Sequence, residues 1–171
     1  FIVRAEGLET AWERLVLYAA HEIAIVTPVF ESQVVADALC AARRRDWWST
    51  GGVRCRLLVN GELMDRSNTE SRVARILRLR DCGVRICFNR DGFLHHRSLL
   101  ADRRMYVGSS GFMQAVSTTV TLGVVISLSE SSASKELEYF DDLWSTAASY
   151  WDTSTHGLLI TEYNDWTNDR D

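Results

Sequence analysis

Proline is almost missing: Pro28 is the single one in 171 residues, and with 25% charged residues spread along the chain this argues against extended disorder. Lysine is equally scarce. Lys135 is the only one, so the basic residues are almost all arginines. No apolar run approaches the ~20 residues that a bilayer-spanning helix needs, and no amphipathic membrane anchor is evident. The N-terminus, Phe1-Ile2-Val3-Arg4-Ala5-Glu6, lacks both an initiator Met and the basic-then-apolar layout of a signal peptide, which fits a processed or excised piece. The four cysteines, Cys40, Cys55, Cys82 and Cys87, form no Cys-x2-Cys pair, so nothing spaces them as zinc ligands. Reduced, buried thiols in an intracellular, reducing compartment are the expectation, with cytoplasm and organelle both open. No internal repeat is present.

What remains is a chain long enough for one domain with a real core, at an ordinary 46% hydrophobic content. Its net charge of −4 hides a division. Up to Ser129 there are 17 basic and 13 acidic residues; from Glu130 onward there are 2 basic and 10 acidic. A nucleic acid is tolerated by the first part and repelled by the second.

Periodicity places the elements. Residues 8–21 carry a helical stripe through Leu8, Ala11, Trp12, Leu15, Val16 and Ala19. Residues 22–27 (EIAIVT), stopped by Pro28, read as a buried strand. Helical spacing returns over 31–45 and over 68–81, the second helix closed by Gly83. Strands are expected at 53–60, 84–88 and 120–128, and a last helix at 134–151. Strands alternating with helices imply an α/β domain with a largely parallel sheet covered on both faces. Residues 1–152 form that domain, and 153–171 form an acidic C-terminal extension that packs on the surface or meets a partner.

One stretch carries chemistry. Residues 94–112, LHHRSLLADRRMYVGSSGF, read as a β-hairpin turning at Asp102-Arg103-Arg104 and returning to a small loop, Gly108-Ser109-Ser110-Gly111. Alternation puts His95 and Arg97 on one face, with His96 and Ser98 on the other. An imidazole that can attack or shuttle protons thus stands beside a guanidinium whose donors suit phosphate oxygens. The glycine-serine loop offers backbone donors to an anion.

His95-x-Arg97 with Asp102 five residues on resembles the H-x-K-x4-D signature of the phospholipase D superfamily. The stretch Gly108-Ser109-Ser110-Gly111-Phe112 resembles the G-S-x-N-F found after it in that family. The likeness is strongest to the small single-motif nucleases and covers residues 5–152, including the run Tyr139-Phe140-Asp141-Asp142-Leu143-Trp144 near the end. It implies a phospholipase D-like sandwich of a mostly parallel mixed sheet with helices on both faces. It also implies phosphodiester hydrolysis without metal or other cofactor, through a phosphohistidine on His95. Arg97, Ser109 and Ser110 would bind the phosphate, while Asp102 and Gly108 give structural support. A second histidine must protonate the leaving oxygen, so the resemblance implies a homodimer with His95 of each subunit facing across the axis. Nucleic acid or another phosphodiester would be the substrate.

The sequence departs from that pattern in three places. Arg97 replaces lysine, Gly111 replaces asparagine, and Val120-Thr121-Leu122 stands where the family often has N-x-E. A catalytically degenerate domain, serving as a structural or RNA- and phosphate-binding subunit of a larger assembly, therefore stands level with the enzyme. A lipid-cleaving role ranks third. Elsewhere, His21 and His156 read as isolated surface or capping residues. Arg72, Arg75, Arg78 and Arg80 read as the wet face of a helix. Trp47-Trp48 reads as a loop pair that packs down or meets a protein.

Overall fold

The computed structural model of the chain describes residues 2–4, 7–45, 52–61, 70–89, 94, 96–109, 112 and 122–151. Its strands are β1 (Ile2–Arg4), β2 (Glu22–Thr27), β3 (Arg54–Asn60), β4 (Arg85–Asn89), β5 (Ser98–Ala101), β6 (Arg104–Gly108) and β7 (Leu122–Ser127). The helices are α1 (Leu8–Tyr18), α2 (Gln33–Arg44), α3 (Glu70–Asp81) and α4 (Glu130–Trp151). The strands form one seven-stranded sheet in the order β1-β7-β6-β5-β2-β3-β4. Strands β2, β3 and β4 pair in parallel, and every other neighbouring pair is antiparallel. The sheet is therefore mixed, as expected, but its neighbouring pairs are mostly antiparallel rather than parallel. Tight connections such as the β5–β6 turn produce this, because only parallel neighbours need a crossover helix.

Residues of β2 are buried on both sides, which is why its sequence reads as a continuous apolar run. Ile23 and Ile25 face a core built with Leu8, Trp12, Leu15 and Val16 of α1, Val35 and Leu39 of α2, and Ile76 and Leu79 of α3. Ala24 and Val26 face a smaller core with Leu58, Leu100, Met105 and Phe140 and Ala147 of α4. Among the described residues, three helices thus cover one face and α4 the other. Helix α4 is also tied down by charge. Buried Arg56 donates to Glu22 and, at 2.5 Å, to Asp141, and its guanidinium lies 4.7 Å from the Phe140 ring centroid. Beyond α4, the same face of β1, β6 and β7 carries exposed Ile2, Val107, Leu122, Val124 and Ile126.

Two expectations are corrected. Cys40 and Cys82 are joined in a disulfide, their Cα atoms 5.3 Å apart, because α2 and the turn after α3 pack together; only Cys55 and Cys87 are free, buried thiols. The arginines of α3 are not a wet face throughout. Arg75 is buried and donates to Gln33, Arg72 pairs with Glu31, and Arg78 pairs with Asp37, so these side chains cross to α2 and its approach. Arg80 is exposed and pairs with its neighbour Asp81. The elements otherwise fall close to their expected places. Helix α4 begins four residues earlier, at Glu130, and β1 has no counterpart in the periodicity. Trp47, Trp48 and residues 152–171, which contain the expected acidic extension and His156, lie outside the described residues.

Candidate phosphate site

Register fixes which ends meet. Val26 pairs with Ser98, Ser98 with Val107, and Val107 with Val124. The carboxyl ends of β2, β3, β4 and β6 therefore share one edge with the starts of β5 and β7. In open α/β sheets ligands settle outside the carboxyl ends of the strands. Helices α2 and α3 start at this edge because each comes after a strand ending there. The start of α1 joins them, since Glu9 in its first turn accepts from the Ser32 hydroxyl at 3.1 Å, and Ser32 caps α2. Helix N-termini present unpaired N–H groups and positive potential to an anion. Phe112, just past the small loop, is held here too: its carbonyl accepts from Glu31 and Ser32 N–H at 2.6 and 2.8 Å.

Arg97 sits at this edge, one residue before β5 begins. The Gly108 N–H donates to its carbonyl over a long 3.4 Å, so the ladder frays at this point. Ser109 comes next. Its N–H donates to the Leu122 carbonyl at 3.1 Å, and its hydroxyl lies 3.4 Å from both backbone polar atoms of Leu122. The fold thus gathers Arg97, Gly108 and Ser109. His95, Ser110 and Gly111 lie outside the described residues. Asp102 is at the opposite end of β5, about 17 Å along a strand rising ~3.3 Å per residue. There its φ of 51° makes the hairpin turn, and its carboxylate accepts from Ala20, His21 and Glu22 N–H at 2.7, 3.0 and 2.8 Å. It braces the hairpin, far from Arg97 and Ser109.

Sequence reasoning passed over Tyr106 and Trp12. Tyr106 pairs with Leu99 and shares the Arg97 face, and its hydroxyl lies where a Cβ on Gly108 would stand. Gly123, opposite Gly108, likewise leaves room for the ring. Burial pushes the Tyr106 phenol up, while the Trp12 indole and the Arg97 guanidinium pull it back. Trp12 meets Tyr106 edge-on at 5.5 Å. A polar-tipped aromatic two residues before a glycine was the available signal. His96 turns the other way, as alternation requires. It lines a small pocket with Ala24, Val26, Ser98, Met105, Glu136 and Tyr139 under α4, its ring 5.7 Å from that of Tyr139. Burial lowers its pKa and Glu136 opposes the shift. Among the described residues no cluster of three or more His, Cys, Asp or Glu is placed to hold a metal ion.

A family model described as cardiolipin synthase, PLD-like domain, matches residues 14–144, well over half of the chain. The chain belongs to the phospholipase D-like domain family. Solved structures share this phospholipase D-like fold at low identity. Nuc from Salmonella typhimurium, a phospholipase D family member, is 18% identical with a TM-score of 0.73, over 85% of this chain and 93% of that one. NucT from Helicobacter pylori is 11% identical with a TM-score of 0.66, over 86% and 95%. TrmBL2, an archaeal chromatin protein described with a novel mode of DNA binding, is 16% identical with a TM-score of 0.58, over 86% of this chain and 52% of that one. No curated protein matches the chain. No helix among the described residues of this phospholipase D-like domain is long and apolar enough to cross a membrane.

Proposed function

We propose that this domain is a phosphodiesterase of the nuclease type, working as a homodimer without a metal ion. The observation that supports it most is the gathering of Arg97, Gly108 and Ser109 at the carboxyl edge of the strands, where α1, α2 and α3 begin. In this reading the neutral His95 imidazole attacks phosphorus, forming a phosphorus–nitrogen bond as the bond to the leaving oxygen breaks. The protonated His95 of a second copy delivers its proton to that oxygen. It then takes a proton from water, whose oxygen displaces the histidine nitrogen, and both imidazoles return to their starting states. Arg97, with Ser109, Ser110 and the Gly108 backbone, holds the nonbridging oxygens and gains strength as negative charge builds on them. The two imidazoles need opposite protonation states, so their coupled titration sets the pH optimum.

A second reading, a phosphate- or nucleic-acid-binding subunit that no longer turns over, is favoured by Gly111 and by Val120-Thr121-Leu122 in place of the polar groups of the motif. Cleavage of a generic phosphodiester, bis(p-nitrophenyl) phosphate, and of an oligonucleotide in EDTA separates the two. The enzyme reading expects a dimer, loss of turnover in His95→Ala, and a fall of about 10²–10³-fold in kcat for Arg97→Ala. Oligonucleotide binding that needs Arg97, with no cleavage at any pH, establishes the second reading instead.

A further inference from the structure

Between the two residues of the proposed site, His95 and Arg97, the chain carries a side chain that faces away from it. Residues 96 and 97 precede β5, and among the described residues the ladder reaches them only through the long Gly108 N–H to Arg97 carbonyl contact. Backbone pairing alone therefore leaves their rotation loosely fixed. Ser98 is in register with both Val26 and Val107, so alternation sets the faces up to the start of β5, and a contact on the opposite face is what can hold Arg97 in that direction just beyond it.

We infer that His96 is the positioning residue of this site: its neutral imidazole, docked under α4, turns Arg97 toward the phosphate and releases it when protonated. The inference rests on the phosphate reading of the Arg97 edge. The dock is built from four elements. Ala24 and Val26 of β2, Ser98 and Leu100 of β5, Met105 of β6, and Glu136, Tyr139 and Phe140 of α4 line it. Tyr139 holds the imidazole edge-on to its own ring. The titratable groups facing His96 are Glu136 and Tyr139, both from α4; β2, β5 and β6 contribute only apolar side chains and one hydroxyl to the lining. An apolar lining of this kind suits a neutral ring. A proton on the ring must be carried into it at a desolvation cost that Glu136 offsets only in part, in keeping with the lowered pKa. Undocking answers that cost by letting the charged ring reach water, and Arg97, joined to it by one peptide bond, loses its fixed direction.

The probe is inorganic sulfate, which keeps its double charge over the range used, with its affinity measured by calorimetry. The wild-type protein is expected to bind sulfate through Arg97, so that Arg97→Ala loses it. His96→Ala is expected to weaken sulfate binding at about pH 7.5 by about tenfold or more, since small misplacements of a binding group carry such factors. His96→Gln, neutral at every pH and able to hydrogen-bond Glu136, is expected to bind like wild type at that pH. From about pH 7.5 to about pH 5.5 the wild type loses affinity relative to His96→Gln. Should Arg97→Ala keep sulfate, or the wild type never bind it, the phosphate reading of the edge fails and this inference falls with it. Should Arg97→Ala lose sulfate while His96→Ala keeps full affinity, or His96→Gln track the wild-type pH dependence, the edge stands and the role of His96 is overturned. A variant that lowers thermal stability without moving the sulfate affinity also overturns it.

Discussion

The carboxylate of Asp102 accepts three backbone N–H groups from residues 80 to 82 positions earlier in the chain. It does so from a left-handed backbone, φ 51°, which Asp tolerates better than most residues. The polar turn was legible in the sequence because two alternating apolar runs stop on either side of it. Its partners were not, since nothing local links residue 102 to residues 20–22. Charge-assisted bonds contribute roughly 1.5–3 kcal/mol each, and partly exposed N–H groups recover water when a partner is lost. Asp102→Ala is therefore expected to lower unfolding free energy by about 2–4 kcal/mol in a urea titration. Sulfate affinity should hold at temperatures where the variant is folded, because the turn lies at the far end of β5. Tyr106 marks the other limit of reading residues one at a time. Its place beneath Gly108 and Gly123 depends on β6 and β7 being in register, and a single sequence shows only that a tyrosine precedes a glycine by two.

Helical periodicity shows which side of a helix is apolar and nothing of what its polar side meets. The spacing of Arg72, Arg75 and Arg78 marks a polar side of α3, yet it cannot say that α2 offers Asp37 and Gln33 to that side. The same packing brings Cys40 and Cys82 together across 42 residues of sequence. Without reductant, the native protein is expected to show no thiol reactive toward Ellman's reagent, because burial pushes Cys55 to about 12 and Cys87 to about 11. Two thiols should appear on unfolding and four after reduction. Four on unfolding alone would show that the α2–α3 staple is absent. Reduction should lower stability by about 2–4 kcal/mol. The contact of α4 with β5 carries a pH dependence of its own. The folded pKa of His96 lies below its unfolded value of 6.5, so the contribution is complete above that value and is lost as pH falls through the folded one. The urea midpoint of the wild type should therefore fall more steeply on acidification than that of His96→Gln, and parallel curves would show that His96 carries no such linkage.

For the molecule as a whole, alternation of strands and helices was enough to give an α/β sandwich with helices on both faces, and β2 matched its expected bounds, 22–27. The β5–β6 hairpin was legible from its turn, but which other strands became neighbours was not, because those pairings depend on partners supplied from distant parts of the sequence. Strand β2, in the middle of the sheet, has one neighbour of each kind. On one side β3 comes soon after it through α2, whereas on the other side β5 arrives from more than 70 residues downstream. Loop entropy must be met before that second pairing returns any stability, which places this chain among slow-closing topologies. A ribosome that has released only the portion through β4 holds half a sheet, with one side of β2 open to any passing strand. Until the 94–112 hairpin emerges, the nascent chain presents an apolar edge that has to be shielded from pairing with its neighbours.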